Sequence, residues 1–225
     1  MSQITLALDV YGTLIDTNGV LLKLREHLGN QAEAFSDLWR DKQLEYSFRR
    51  GLMNKYVDFS ICTQEAFSYT SLAMGITWED QAREEVIGQY RTLPAFPEVA
   101  EALKGLKAAG FRLFAYSNGS RKAVTQLMEQ AQLLSLLNGI VSMEEVQTFK
   151  PNPVGYRHFI QQTESQMEQA WMISGNPFDV IGAKAYGMKT AWVQRNPQRI
   201  LDPMGYTPDR IIQHLGQLAE AIITP

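Results

Sequence analysis

The sequence predicts an α/β protein, with a doubly wound, Rossmann-like parallel sheet as its core and an inserted all-helical cap subdomain. The first observation behind this prediction is the run QITLALDV at 3–10, which is apolar and rich in β-formers, as in a strand buried on both faces of a sheet. The second is that 17–93 shows helical spacing and lacks strand-like runs. The third is the alternation of helices and strands that follows Pro94.

The predicted elements follow in order along the chain. The insert contains helical patterns at 20–28, 34–53, 64–75 and 79–93. After it, predicted helices lie at 98–110, 121–133, 152–163, 179–187 and 214–223, and predicted strands at 111–120, 138–143, 169–179, 188–196 and 209–213. Gly110 closes the first of these helices as the residue after its C-terminus. We therefore predict a core formed by 1–16 and 94–225 and a cap formed by 17–93.

Composition and charge exclude several classes of protein. The formal net charge is -3 and the isoelectric point is about 5.7, so the chain lacks the basic surface of proteins that bind nucleic acid or anionic membranes. No apolar run reaches the ~18 residues of a membrane span, and the N-terminal MSQITLALDV does not resemble a signal peptide. Cys62 is the single cysteine, so no disulfide can form within the chain, and we expect a cytoplasmic location.

Polar side chains collect where the predicted strands end. Ligands of open parallel sheets bind outside the carboxyl ends of the strands, so these residues are candidates for one common site. They are Asp9, Tyr11 and Thr13 after the first strand, Ser117, Asn118 and Gly119 after the second, Ser174, Asn176 and Asp179 after the WMI strand, and Lys150 and Tyr156 in and after TFKPNP.

Each of these residues also has a structural alternative. Asp9 and Asp179 could cap the helices that follow them, and the SNG segment is a common turn. Lys150 could be a solvated surface charge, and Tyr156 could be a packed aromatic residue with a solvated hydroxyl. Their order along the chain and their common location, rather than any one residue, favour a functional site.

The ordered segments DVYGT, SNG, FKP and SGNPFD resemble the haloacid dehalogenase superfamily over essentially the whole chain. The similarity is greatest to the L-2-haloacid dehalogenases, because LWRDKQLEYSFRRGLM at 38–53 resembles the cap helix that carries the halide-contacting arginine of that subfamily, here Arg40. The resemblance implies a set of catalytic residues: Asp9, Thr13, Arg40, Lys150, Tyr156, Ser174, Asn176 and Asp179. It further implies a substrate-binding set: Tyr11, Arg40, Leu44, Phe59, Ser117, Asn118 and Phe178.

The resemblance implies hydrolysis of (S)-2-haloacids to (R)-2-hydroxyacids and halide. Asp9 would attack C2 opposite the halogen and form an ester, with Lys150 holding its carboxylate. Asp179 would then activate water, assisted by Ser174 and Asn176. Tyr156 is expected to hydrogen-bond to Lys150 or Asp9.

The remaining implied residues would bind the substrate. Ser117, with Asn118 beside it, would hold the substrate carboxylate together with backbone N–H groups. Leu44, Phe59 and Phe178 would line the alkyl pocket, with ordinary core packing as the alternative. For Arg40 the alternative to binding halide is an ion pair with Asp37 or Asp41.

Two departures from the subfamily concern residues beside the site. Asp41 stands where relatives often carry glutamine, and Phe178 where some carry tryptophan. Asp41 could weaken anion binding, or pair with Lys42 or Arg40.

Tyr11 distinguishes this sequence from phosphatases of the superfamily, which carry an acid two residues after the nucleophile. Because a departing halide needs no proton, that acid has no task here, and we expect a site without metal or cofactor. A Mg²⁺-dependent phosphatase and a non-catalytic binding protein of the same fold are the alternatives. The resemblance also implies a homodimer.

Overall fold

The computed structural model describes residues 3–223. Its strands are β1 (Thr5–Leu8), β2 (Arg112–Ser117), β3 (Gly139–Ser142), β4 (Ala170–Ser174), β5 (Lys189–Val193) and β6 (Arg210–Ile212). Its helices are α1 (Asn18–Leu28), α2 (Ala32–Leu52), α3 (Phe59–Met74), α4 (Asp80–Gly88), α5 (Val99–Ala108), α6 (Arg121–Gln130), α7 (Pro153–Thr163), α8 (Pro177–Tyr186) and α9 (Leu218–Ile223).

The strands form one parallel sheet in the order β3-β2-β1-β4-β5-β6. The first strand lies in the middle, with Leu8 paired to Ala115 of β2 on one side and to Ile173 of β4 on the other. The chain therefore builds outward in both directions from β1, and the predicted doubly wound sheet is confirmed. The point between β1 and β4, where the strand order reverses, is where such sheets bind ligands.

Helices cover both faces of this sheet. Leu6 and Leu8 of β1 belong to one buried cluster that includes Val99 and Val124 from α5 and α6. Ala7, between them, belongs to a second buried cluster with side chains of α7 and α8. Because neighbouring side chains of a strand point to opposite faces, both faces of β1 are buried, and this explains its continuous apolar sequence.

The helical insert lies between β1 and α5 and consists of α1 to α4. The two segments that connect it to the sheet run side by side: Asp16 N donates to the carbonyl of Pro94 at 2.9 Å, and Phe96 N donates to that of Leu14 at 3.0 Å. These contacts fall at the predicted limits of the insert. The division into a core of 1–16 and 94–225 and a cap of 17–93 stays a prediction.

The structure corrects several predicted boundaries. Helix α8 begins at Pro177 rather than at 179, because proline is favoured in the first turn of a helix, where no N–H donor is needed. The strands are shorter than predicted, since β2 ends at Ser117 and the SNG segment turns away from the sheet. Gly110 has the positive φ of 87° expected of a residue that follows a helix.

Among residues 3–223, none of the helices combines the length and apolar character needed to cross a lipid bilayer.

Candidate active site

The carboxyl ends of the central strands bring the predicted residues together. Asp9 directly follows β1, and its N–H donates to the carbonyl of Ile173 in β4 at 3.0 Å. The turns after β1 and β4 pack backbone against backbone, because a Cβ at Gly175 would lie 2.5 Å from the carbonyl oxygen of Gly12. Glycine at position 175 therefore allows the Asp9 and Asn176 loops to approach closely enough for their side chains to meet.

Asp9 is buried, with 5% of its surface exposed, and both carboxylate oxygens accept hydrogen bonds. Oδ1 accepts from Lys150 Nζ at 2.8 Å, and Oδ2 accepts from Thr13 Oγ1 at 2.7 Å and Asn176 Nδ2 at 2.9 Å. Burial by itself raises the pKa of Asp9, but the charge and hydrogen bond of Lys150, with the Thr13 hydroxyl, outweigh it and lower the pKa. Asp9 is thus a charged, fully oriented carboxylate.

Lys150 lies between two carboxylates. Its ammonium group donates to Asp9, to Asp179 Oδ2 at 2.9 Å and to the carbonyl oxygen of Tyr116 at 3.2 Å. Its backbone N–H donates to Asn118 Oδ1 at 2.8 Å, so the SNG turn holds the segment that carries the lysine. Burial lowers the pKa of Lys150, yet the two carboxylates raise it by more, and the side chain stays charged. A surface position for Lys150 is excluded, since 1% of it is exposed.

Asp179 is fully buried on the first turn of α8. Its Oδ2 accepts from Lys150 Nζ and from Ser174 Oγ, the latter at 3.0 Å, while Oδ1 has no hydrogen-bond partner within residues 3–223. Burial raises the pKa of Asp179 to about 7, opposed by Lys150 and reinforced by the negative charge of Asp9. A carboxyl group with this pKa exchanges a proton near neutral pH.

The helix-capping alternatives for the two aspartates are wrong. Thr17 is the residue before α1, eight positions beyond Asp9, and Asn176 is the residue before α8. Neither carboxylate accepts a hydrogen bond from the start of these helices within the described chain.

Tyr156 is buried on α7, and its hydroxyl donates to the backbone carbonyl of Asp179 at 3.3 Å. The expected hydrogen bond from this hydroxyl to Lys150 or Asp9 is wrong. The first turn of α8 brings the carbonyl oxygen of Asp179 within hydrogen-bond distance of the Tyr156 hydroxyl, which donates to it instead. Tyr156 thereby contacts the backbone that carries Asp179.

Arg40 reaches the same site from α2 of the insert. Its guanidinium donates to Gln43 Oε1 at 3.3 Å and to Asn176 Oδ1 at 3.4 Å. It forms no ion pair with any carboxylate of residues 3–223, so the predicted alternative of a pair with Asp37 or Asp41 is wrong. Asp41 is exposed and turned away on the helix, and Lys42 pairs with Glu45 instead. An unpaired, half-buried guanidinium beside a buried carboxylate can accept an anion.

A small pocket lies above Asp9, between the core and the insert. It is lined by side chains of both: Asp9, Tyr11, Arg40, Leu44, Phe59, Ser117, Asn118, Lys150, Asn176 and Phe178. Every residue of the predicted substrate-binding set belongs to this lining. Phe178 and Phe59 also make aromatic contacts, to Phe48 at 5.5 Å and Phe149 at 6.1 Å between ring centroids, so these two side chains both pack and line the pocket.

Sequence reasoning missed two residues around Arg40. Gln43 is fully buried; its amide oxygen accepts from Arg40, and its Nε2 donates to the Tyr90 hydroxyl at 3.1 Å. Arg199 donates to the carbonyl of Gly175 at 3.0 Å; burial, and then the nearby charge of Arg40, lowers its pKa. The sequence around Gln43 does not distinguish it from a solvated glutamine of a long helix, and Arg199 lies in a loop with no motif.

The family of the chain is shown by its similarity to known proteins. A sequence model of the haloacid dehalogenase-like hydrolase family matches residues 6–193. The chain therefore belongs to the haloacid dehalogenase-like hydrolases.

Several relatives match almost the full length of the chain. The (S)-2-haloacid dehalogenase of Pseudomonas sp. strain YL is 32% identical over 219 residues, 97% of this chain and 94% of that protein. The haloacetate dehalogenase H-2 of Moraxella sp. strain B is 32% identical, covering 96% of both. The structure of L-2-haloacid dehalogenase from Xanthobacter autotrophicus with chloropropionic acid covalently bound matches with a TM-score of 0.88 at 27% identity, covering 99% of both chains. The predicted resemblance is confirmed.

Proposed function

We propose that the protein is a hydrolase that converts (S)-2-haloacids to (R)-2-hydroxyacids and halide, with inversion at C2, through an ester on Asp9. The observation that carries this proposal is a charged, oriented Asp9 that shares one small pocket with the unpaired guanidinium of Arg40. The relatives named above, with the covalent chloropropionic acid complex among them, support the same reaction class.

In the first step, a carboxylate oxygen of Asp9 attacks C2 and the carbon–halogen bond breaks, with its electron pair leaving on the halide. Carboxylates are modest nucleophiles, so orientation has to supply much of the rate. Well-oriented attack of this kind is worth ~7–11 kcal/mol. Lys150, Thr13 and Asn176 fix the Asp9 carboxylate by three hydrogen bonds and thus restrict its rotation.

Arg40 receives the departing halide in this proposal. Its guanidinium is diffuse and weakly hydrated, which suits a large, soft anion. Gln43 and Asn176 hold the group from two sides without neutralising it. Arg199, which donates to the carbonyl of Gly175 and lies close enough to Arg40 to repel it, adds a second positive charge that further favours an anion here.

Ser117 and the backbone of the SNG turn would bind the substrate carboxylate. Ser117 Oγ accepts from Gly119 N at 3.1 Å and keeps its own hydrogen for an acceptor oxygen. Asn118 acts differently, because its Oδ1 is already used by the backbone of Lys150. We therefore assign Asn118 mainly to positioning Lys150.

In the second step, water attacks the carbonyl carbon of the ester and Asp179 takes its proton. The bond between the acyl carbon of Asp9 and the C2 oxygen breaks, and Asp179 returns its proton to that oxygen, which releases the hydroxyacid. The acid formed on Asp9 then loses its proton to solvent and becomes the carboxylate again. Ser174 orients Asp179 by its hydrogen bond, and Lys150 stabilises the developing oxyanion. Tyr156 supports the backbone of Asp179.

Neither a metal nor a cofactor has a task in this mechanism. The ammonium group of Lys150 already pairs with both carboxylates, and a halide leaves without a proton. Tyr11 stands where a phosphatase would need an acid, and burial raises the pKa of its hydroxyl, so it is a poor general acid.

The test is halide release from L- and D-2-chloropropionate by the purified protein in excess EDTA. We expect release from the L-form only and no loss of rate with chelator. Asp9→Asn should abolish release, whereas Asp37→Asn, an exposed aspartate on α2, should not change it.

A different result would favour one of the alternatives. Mg²⁺-dependent turnover of a phosphate ester without halide release would identify a phosphatase. Absence of both activities would leave a binding protein.

We further propose a homodimer and a cytoplasmic location. One face of α3 exposes Ile61, Tyr69 and Leu72, and 84% of the surface of Leu72 is accessible. Several exposed apolar side chains on one helix face are typical of protein–protein interfaces. The single cysteine, Cys62, is buried as a free thiol, which fits a reducing compartment.

A further inference from the structure

The pocket directly above Asp9 is too small for a haloacid as it stands. Its volume is about 20 Å³, which is room for roughly one water molecule. Typical small-molecule sites have ~300–1,000 Å³. A substrate placed with C2 at Asp9 and its halogen at Arg40 must therefore use space outside this pocket.

A chamber of about 580 Å³ adjoins the pocket. The two spaces share Tyr11, Arg40, Phe59 and Gly119 in their walls, so they meet at these residues. The chamber lies between the insert and the core, with α3 and the end of α4 on one side and α6 on the other. Its volume falls within the range of a genuine ligand site.

The walls of this chamber combine apolar and polar side chains. The apolar part of the wall is formed by Phe59, Ile87, Tyr90 and Ala123. Helix α6 also contributes the amide side chains of Gln126 and Gln130. A wall of this composition suits an alkyl or aryl chain whose far end can contact amides or water.

Beyond Arg40, which faces the small pocket as well, the charged side chains of the chamber are Asp58 and Arg91. Burial raises the pKa of Asp58, but hydrogen bonds from Ser60 and Ser120 lower it by more, and the group stays negative. With one further charge of each sign, the chamber gives no net preference for a charged chain.

We propose that this chamber is a subsite for the side chain of the substrate, so that the protein acts on 2-haloacids with long, uncharged alkyl or aryl side chains. The inference rests on the proposed function. The halogen and the carboxylate of C2 are held at Arg40 and Ser117, and Asp9 lies opposite the halogen. The side chain of C2 then extends past Tyr11 and Phe59 into the chamber.

The test compares the racemates of 2-bromopropionate and 2-bromooctanoate as substrates for the wild type and for Ala123→Phe. The wild type should use the longer acid with a kcat/KM at least equal to that for the shorter one. The added ring fills the chamber from α6, so we expect Ala123→Phe to lower kcat/KM for 2-bromooctanoate by at least tenfold, about the contribution of two buried methylene groups. Its effect on 2-bromopropionate should stay within about twofold.

Ala108→Phe is the matched control, because it adds the same ring at an exposed site on α5 outside the chamber. It should leave both substrates unchanged. If Ala123→Phe lowered kcat/KM equally for both acids, the chamber would be an access route to the site, and the proposed subsite would be wrong. Turnover of 2-bromopropionate without turnover of 2-bromooctanoate by the wild type would overturn the subsite alone. Halide release from neither acid would overturn the proposed function, and the subsite with it.

Discussion

Asp9 and Asp179 bind the same ammonium group, yet the pKa of Asp9 is lowered and that of Asp179 is raised. Burial raises the pKa of both groups; at Asp9 the charge of Lys150 and hydrogen bonds outweigh it, whereas at Asp179 the negative charge of Asp9 adds to it. The two groups also differ in their hydrogen-bond donors. Asp9 accepts two further hydrogen bonds, from Thr13 and Asn176, whereas Asp179 accepts one from Ser174 and leaves Oδ1 without a partner in the described chain. Two carboxyl groups with separated pKa values can act as nucleophile and base at one pH.

Replacing Asp179 by Asn should separate the two chemical steps. The first step keeps its nucleophile, while the second loses its base, so turnover should fall by about 10²–10⁴-fold. We expect a stoichiometric burst of halide, followed by an ester on Asp9 that mass spectrometry of the peptide detects. Full steady-state turnover by Asp179→Asn would show that another group activates the water.

The raised pKa of Asp179 also predicts how stability depends on pH. Between about pH 4 and about pH 7 the folded protein holds a proton that the unfolded chain has released, so the free energy of unfolding should decline as pH rises through this range and level off above it. Urea unfolding at several pH values measures this slope. Asp179→Asn should flatten it, and an unchanged slope in that variant would assign the proton to another group.

At the scale of elements, tight packing between α7, α8 and the Lys150 turn holds the proposed catalytic side chains, Lys150 and Asp179, in place. A Cβ at Gly182 of α8 would overlap with both Pro151 Cβ and the Tyr156 hydroxyl. Pro151 follows Lys150 directly, and Tyr156 contacts the backbone of Asp179. The spacing of α7 and α8 therefore sets the distance between the lysine and its second carboxylate.

Two glycine-to-alanine substitutions test this packing. Alanine favours helices over glycine by up to about 1 kcal/mol, and Gly105→Ala in α5, where a Cβ meets no atom within 4 Å, should stabilise the protein by about that amount. Gly182→Ala should instead destabilise it by ~1–3 kcal/mol through overpacking, and lower activity as well. Chemical denaturation reports both values. A stabilising Gly182→Ala would show that α8 shifts freely.

At the scale of the whole molecule, the proposed site depends on the position of the insert relative to the sheet. Arg40, Leu44 and Phe59 come from the insert, and Asp9 and Lys150 come from the sheet. Movement of the insert away from the sheet would therefore enlarge the small pocket above Asp9 and carry with it Arg40, the proposed halide-binding residue. A surface of the insert that takes part in a dimer could limit this movement.

The proposed dimer predicts an effect of one exposed residue. Leu72→Glu, on the exposed face of α3, should convert the dimer to a monomer, as measured by analytical ultracentrifugation. Leu52→Glu is the control, because Leu52 is equally exposed, at 85%, but lies at the end of α2. If only Leu52→Glu dissociated the dimer, the interface would include the end of α2 rather than α3.

The candidate site was largely predictable because its residues follow strand ends. Asp9, Ser117 and Ser174 each come at the end of an apolar run, and a parallel sheet brings such positions to one edge. The contacts of Tyr156 were not predictable, since the choice between a side chain and a backbone carbonyl depends on how far α8 lies from α7. Gln43 was missed because nothing local distinguishes a buried glutamine from a solvated one in a long helix.

The sequence by itself determined the fold class, the helical insert and the chemical types of the residues around the pocket. It did so because strand periodicity, turn chemistry and motif order are local properties of the chain. Only the tertiary structure decided that Lys150 lies between Asp9, 141 positions away, and Asp179, 29 positions away. The tertiary structure also decided the opposite pKa shifts of Asp9 and Asp179 and the presence of the chamber beside the pocket. Burial, Coulomb interactions and cavity volume depend on distances in space, which no local pattern contains.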